Sequence, residues 1–212
     1  MHRIKELAPK SRKRPPLGHA LSHDHTITQY TIDPIFYVCS EATISALPSK
    51  GYDVLLTFRD YPKWNSFVNS VQNLPASAQT AADVIVGMQM TIQTSGLIDG
   101  INTTSGEAIT ALVPATHEDI DSPSVDSFVY MAWKFNPGLG TFGQQPLQAE
   151  HISLFKYLGN GQSLYVSWET YYGLLGGLVL PLRANLQKEF EKQGQDLAAW
   201  IQSGCGGNCG EF

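Results

Sequence analysis

Apolar residues recur along the chain first with the two-residue period of strands and then, near the end, with the spacing of a helix. Phe36 to Leu47, FYVCSEATISAL, is rich in strand formers and stops at Pro48. Val54, Leu55 and Phe58 then share one side of a short helix predicted over 52–58, entered through Pro48–Gly51. Pro62 fits the first turn of a second short helix over 61–66. Extended structure resumes at Val71 to Leu74. Five further strands are predicted: Val84 to Thr94, Gly106 to Val113, Phe128 to Phe135, Glu150 to Leu158 and Ser163 to Tyr171. Turn-rich stretches separate them (SGLIDG, PATHEDIDSPS, NPGLGTFGQQP), and Gly159-Asn160-Gly161 reads as a tight hairpin turn. After Gly176-Gly177 the period changes. Leu178, Leu182, Leu186, Phe190 and Leu197, with Trp200, form one side of a helix reaching about Ile201, and Gly204 ends it.

The order is strand, two short helices, a run of hairpin-linked strands and one long helix. It predicts an α+β fold in which a curved antiparallel sheet wraps the C-terminal helix. Neither a βαβ rhythm nor a G-x-G-x-x-G phosphate loop occurs. One domain over 27–203 is expected, between a disordered basic tail at 1–26 and a flexible Cys/Gly tail at 204–212.

Three stretches carry a resemblance: ALPSKGYDVLLTFRDYPKWNSFV (46–68), AEHISLFKYLGNGQSLYVSWETYYGLLGG (149–177) and the closing helix. Together they resemble the START-like or Bet v 1-like (SRPBCC) superfamily, and within it the polyketide cyclase/dehydrase-like branch. The resemblance spans about 36–203. It implies the helix-grip fold and a large apolar cavity between helix and sheet, used to bind or transform hydrophobic molecules. It implies no particular chemistry.

Composition narrows the partners. The chain carries a formal net charge of −5, but its first fourteen residues hold six Lys and Arg against one Glu. That tail is therefore +5 and the remainder −10, a body that repels phosphate backbones, so no nucleic-acid partner is expected. Leu174 to Leu182 is too short to span a bilayer and is broken by Gly176, Gly177 and Pro181, so no integral membrane segment is expected either. The basic start meets no apolar core, which favours the cytoplasm. Cys39 reads as a buried small side chain, and Cys205 and Cys209 as loose thiols. His23-Asp24-His25 lacks a supporting scaffold, and His117 with Glu118, Asp119 and Asp121 reads as a hydrated acidic turn. No metal or cofactor is expected.

Two residues are candidates for chemistry. Alternation on the last strand puts Ser163, Tyr165, Ser167, Glu169 and Tyr171 on one face and Leu164, Val166, Trp168, Thr170 and Tyr172 on the other. The second set reads as the cavity face, which places Trp168 against the ligand and Glu169 outward or at the rim. Glu169 is then either a clasp at the strand–helix corner, which the resemblance favours, or an acid/base with a raised pKa. A strand bulge would reverse the faces. His151 suits proton transfer, and counting outward from Asn160 brings it opposite Glu169. Candidate ligand contacts are Trp64 and Asn65 from the second short helix, the adaptable Met88 and Met90, and the inward Trp133. Trp64 and Asn65 are equally read as a core side chain and a turn cap.

The function expected is binding or carriage of a small hydrophobic or aromatic molecule or lipid in an internal cavity. The alternatives are a polyketide cyclase or dehydratase-like tailoring enzyme, and a structural or partner-binding role.

Overall fold

The computed structural model describes residues 33–136 and 147–204. The expectations for the basic tail, for Cys205 and Cys209 and for most of NPGLGTFGQQP lie outside those residues.

Seven strands form one antiparallel sheet among the described residues: β1 (Phe36–Ile44), β2 (Val68–Gln72), β3 (Gln89–Ile98), β4 (Ile101–Val113), β5 (Phe128–Phe135), β6 (Gln148–Gly159) and β7 (Gln162–Tyr172). Their order is β1-β7-β6-β5-β4-β3-β2, so the first strand closes against the last. Two short helices, α1 (Pro48–Leu56) and α2 (Tyr61–Trp64), follow β1. The five-residue α3 (His117–Asp121) lies in the β4–β5 connection, where no helix was predicted. A short helical turn, α4 (Gly176–Val179), precedes the long helix α5 (Arg183–Gln202). The sheet curls around α5 as the pattern predicts, and this is the helix-grip fold that the resemblance implies.

Two irregularities of the sheet matter for the site. The β6–β7 turn is Asn160-Gly161, both at positive φ (54° and 72°), as a two-residue type I′ hairpin requires. That turn pairs Gly159 with Gln162, which in a regular ladder would bring His151 opposite Thr170. A register shift between Tyr157 and Gly159 moves the pairing by one residue, and His151 faces Glu169. The second irregularity lies in β3. SGLIDG was read as a connection, but the ladder runs on to Ile98↔Ile101 after a shift beyond Thr94. Gly96 (φ 88°) sits in this bulge under α5, where an added Cβ would lie 2.5 Å from the Glu189 carboxylate. Asn185 Nδ2 donates to the Leu97 carbonyl at 2.9 Å, so the helix docks on the bulge through both residues.

Both faces of the sheet are apolar, and this explains the error in assigning β7. The main core lies between the sheet and α5. It includes Tyr165 and Phe155, with Leu186, Phe190 and Leu197 from the helix. A second cluster on the opposite face joins Tyr130, Ala132, Ile152 and Leu154, with Trp168 packed on it. Alternation identifies two faces but cannot rank them when both are buried. The set facing α5 is Tyr165, Ser167, Glu169 and Tyr171, and the expected orientation is corrected accordingly: Trp168 faces away from the helix.

Candidate functional site

A cavity of about 320 Å³ lies between α5 and the concave face of the sheet. It is walled by β3 to β7 and by Leu186 and Gln193 of α5, with Phe67 and Val68 at its β2 side and Val179 from α4. It occupies one part of the groove. The other part is filled by α1, α2, Phe155 and Tyr165. Gly51 of α1 lies against the Phe155 ring so closely that a Cβ there would stand 2.2 Å from a ring carbon.

The wall is aromatic and aliphatic in its larger part, with Thr94, Thr103, Thr104 and Ser105 contributed by β3 and β4, and two polar features stand out. One is His151, held from behind the wall by a chain of hydroxyls that do not themselves line the cavity. Ser167 Oγ lies 2.9 Å and Ser153 Oγ 3.2 Å from His151 Nε2, and Ser153 Oγ is 3.2 Å from the Tyr165 hydroxyl. The imidazole is sandwiched between Trp133 (centroids 4.4 Å apart) and Phe190 (5.0 Å). Burial in this apolar sandwich pushes its pKa down to about 3. His151 is therefore a neutral ring held by hydroxyls. Its Nε2 engages serines, not the carboxylate that the strand register places opposite it.

The other polar group is a pair of carboxyls. Glu107 of β4 and Glu169 of β7 both line the cavity. Burial raises the Glu107 pKa to about 8, and the charge of Glu169 adds to the rise against a hydrogen bond from Ser105. Burial raises Glu169 to about 7, opposed by a hydrogen bond from the Tyr171 hydroxyl. Glu169 keeps some accessible surface, but that surface faces the cavity and protein encloses the carboxyl. At neutral pH the pair holds at least one proton and can both donate and accept hydrogen bonds. Gln193 of α5 also lines the cavity. It is 1% exposed, and neither its Oε1 nor its Nε2 has a hydrogen-bond partner among the described residues.

Of the residues singled out from the sequence, the fold brings His151, Glu169 and Trp133 into the cavity wall. Trp64 is a buried core residue against Tyr61, with ring centroids 4.9 Å apart. Asn65 Oδ1 accepts from the backbone N–H groups of Phe67 and Val68, so it caps the turn into β2. Met88 and Met90 are packed in the core outside the lining, and Trp168 lies on the opposite face. These five expected ligand contacts lie outside the cavity lining, whereas His151, Glu169 and Trp133 lie within it. Sequence reasoning missed Glu107 and Gln193. Glu107 interrupts an otherwise apolar alternation with Ile109, and Gln193 stands in the helical stripe Leu186, Phe190, Leu197. A polar residue on an apolar stripe was the available signal in both.

Among the described residues no group of three or more His, Cys, Asp or Glu is placed to hold a metal ion, and no helix is long and apolar enough to cross a membrane.

No protein-family model matches the sequence, and no curated protein matches it. Solved structures do match in fold. A hypothetical protein from Helicobacter pylori is similar over 78% of this chain and 87% of its own, with a TM-score of 0.55 at 13% identity. A point mutant of norcoclaurine synthase from Thalictrum, in complex with a transition-state analogue, is similar over 82% of this chain and 99% of its own (TM-score 0.53, 10% identity). The Zhui aromatase/cyclase from Streptomyces is similar over 79% and 93% (TM-score 0.51, 12% identity). At these identities the likeness shows a shared helix-grip architecture, not a shared activity.

Proposed function

We propose that this protein binds a small hydrophobic or aromatic molecule in the cavity between α5 and the sheet, and that it does so in the cytoplasm. The observation that carries the reading is the cavity itself: about 320 Å³, with Phe67, Trp133, Phe135 and Tyr171 among the apolar and aromatic residues that make up the larger part of its wall. That volume falls at the low end of small-molecule sites, roughly 300–1,000 Å³. It suits one or two rings and is too small for a two-chain lipid.

Titration with a neutral aromatic probe, 1-naphthol, tests the reading. Trp133 in the wall gives a saturable change of fluorescence, which is lost in Trp133→Phe while binding persists by calorimetry. Ala149→Trp fills the cavity and abolishes binding. A wild-type protein that shows no saturable binding, and that retains no small molecule in native mass spectrometry, overturns the proposal.

The carboxyl pair favours a second reading, a tailoring enzyme of the cyclase or dehydratase kind. Glu169, with a pKa near 7 inside an apolar cavity, suits general acid/base work. Names of fold neighbours include an aromatase/cyclase and a synthase, and they make such chemistry worth testing here without assigning it. Conversion of a retained ligand by wild type but not by Glu169→Gln supports catalysis. Unchanged release from both supports carriage.

A further inference from the structure

We propose that the molecule bound in this cavity carries a protonated amine, seated between Glu107 and Glu169 and hydrogen-bonded by Gln193. The inference rests on the cavity-binding reading and names the chemical class of its ligand.

Among the described residues the two carboxyls have no cationic partner. The lining contains no Lys or Arg. His151 is buried and neutral, with its Nε2 engaged by Ser153 and Ser167. On α5, Lys192 pairs with Glu189 at 3.8 Å, and neither lines the cavity. Lys134 is exposed and acts on Glu150, which also lies outside the lining. The charge that the pair carries once ionised is thus uncompensated among the described residues, in surroundings where charge is costly.

Each class of guest meets this wall differently. An anion adds repulsion to desolvation and is excluded. A neutral apolar guest leaves both amide atoms of Gln193 unsatisfied. A protonated amine supplies the missing charge to the carboxyls and a donor to Gln193 Oε1. Its positive end also meets the π-faces of an aromatic wall, where cations are favoured. The size of the cavity places that amine on one or two rings.

The pH dependence follows from the groups that face the pair. These are each other, Tyr171 on β7 and His151 on β6. Tyr171 stays protonated well above neutrality, and His151 stays neutral. The remaining polar neighbours in the wall, including Ser105, Thr94 and Gln193, do not titrate. Ionisation of Glu107 and Glu169 therefore governs amine affinity, which rises with pH while the amine remains protonated.

Three probes of nearly equal shape test this by calorimetry at pH 8: 2-phenylethylamine, 2-phenylethanol and phenylacetate. The amine is expected to bind wild-type protein at least tenfold more tightly than the alcohol, with phenylacetate weakest. Its affinity rises about tenfold between pH 6 and 8.5, while that of the alcohol stays flat. In the near-isosteric Glu107→Gln/Glu169→Gln protein, checked for folding by circular dichroism, the amine's advantage disappears and the alcohol still binds. If the alcohol or phenylacetate binds wild type as tightly as the amine does, the inference is overturned and the cavity reading stands. If none of the three binds, and 1-naphthol does not either, both fall together. The wild-type series does not depend on the variant folding.

Discussion

Glu107 and Glu169 stand on strands three places apart in the sheet order, yet each lines the same cavity and the charge of Glu169 raises the proton affinity of Glu107. On a flat sheet three strand spacings are about 14 Å. The curl of the sheet around α5 brings both carboxyls to one cavity, where their burial leaves the interaction poorly screened.

This coupling sets how stability depends on pH. Both carboxyls are raised above the ordinary 4.5, so the folded protein retains protons that the unfolded chain releases. Their stabilising contribution is complete below about pH 4.5 and declines as pH rises through about 7 to 8. His151 acts in the opposite sense. Its folded pKa is depressed to about 3, and the stability it contributes above about pH 6.5 is lost as pH falls. Two carboxyls outweigh one imidazole between about pH 5 and 6.5, and only the carboxyls act above that. Urea unfolding should show stability falling from pH 5 to 8, on the order of 1 kcal/mol per pH unit. In Glu107→Gln/Glu169→Gln the decline should be much shallower, leaving the part that the raised Glu150 and Asp53 contribute; an equally steep decline would refute the assignment.

His151 is expected to stay neutral in the folded protein down to about pH 4. Its ring nitrogens should show no protonation shift in NMR spectra recorded from pH 8 to 5. A midpoint near the usual value of 6.5 would mean that the imidazole is solvated, and that the Trp133–Phe190 sandwich is open.

Gly51→Ala should destabilise the fold by about 1–3 kcal/mol, because the new methyl collides with the Phe155 ring. The cost should shrink in a Phe155→Leu background, where the ring is absent. Denaturant midpoints of the four proteins give the coupling, and strict additivity would show that the two residues do not meet.

Gln187 serves β1 as a substitute strand neighbour. Its Oε1 accepts from the Cys39 N–H at 3.2 Å, and its Nε2 donates to the Cys39 carbonyl at 2.7 Å. β1 is an edge strand, and these are backbone groups that β7 leaves unpaired. Gln187→Ala should lower stability by about 1–3 kcal/mol for two lost bonds and speed amide exchange at Cys39. Unchanged exchange there would rule out the clamp.

The architecture was legible in the chain because strand alternation, the Asn160-Gly161 turn and the Leu186–Phe190–Leu197 stripe are local signals that tertiary structure reinforced. The site was less so. Trp168 drew the wrong face of β7 inward because hydrophobicity alone cannot separate a core against a helix from an apolar cluster on the reverse side. Glu107 was invisible as a partner of Glu169 because 62 positions separate them in the sequence and only the curl of the sheet brings them together. Met88 and Met90 have the side chains of a pocket wall, but depth in the core is set by packing that spacing does not encode.

The register shift at Tyr157–Gly159 decides which face of β7 the cavity meets. Inserting or deleting one codon near that turn would rotate β7 by half its period, presenting Thr170 and Trp168 to the cavity and turning Glu169 to the far side. An acid-lined chamber would become an indole-lined one on an unchanged backbone. The character of this cavity is therefore set by the length of a hairpin as much as by the identity of the side chains in its wall.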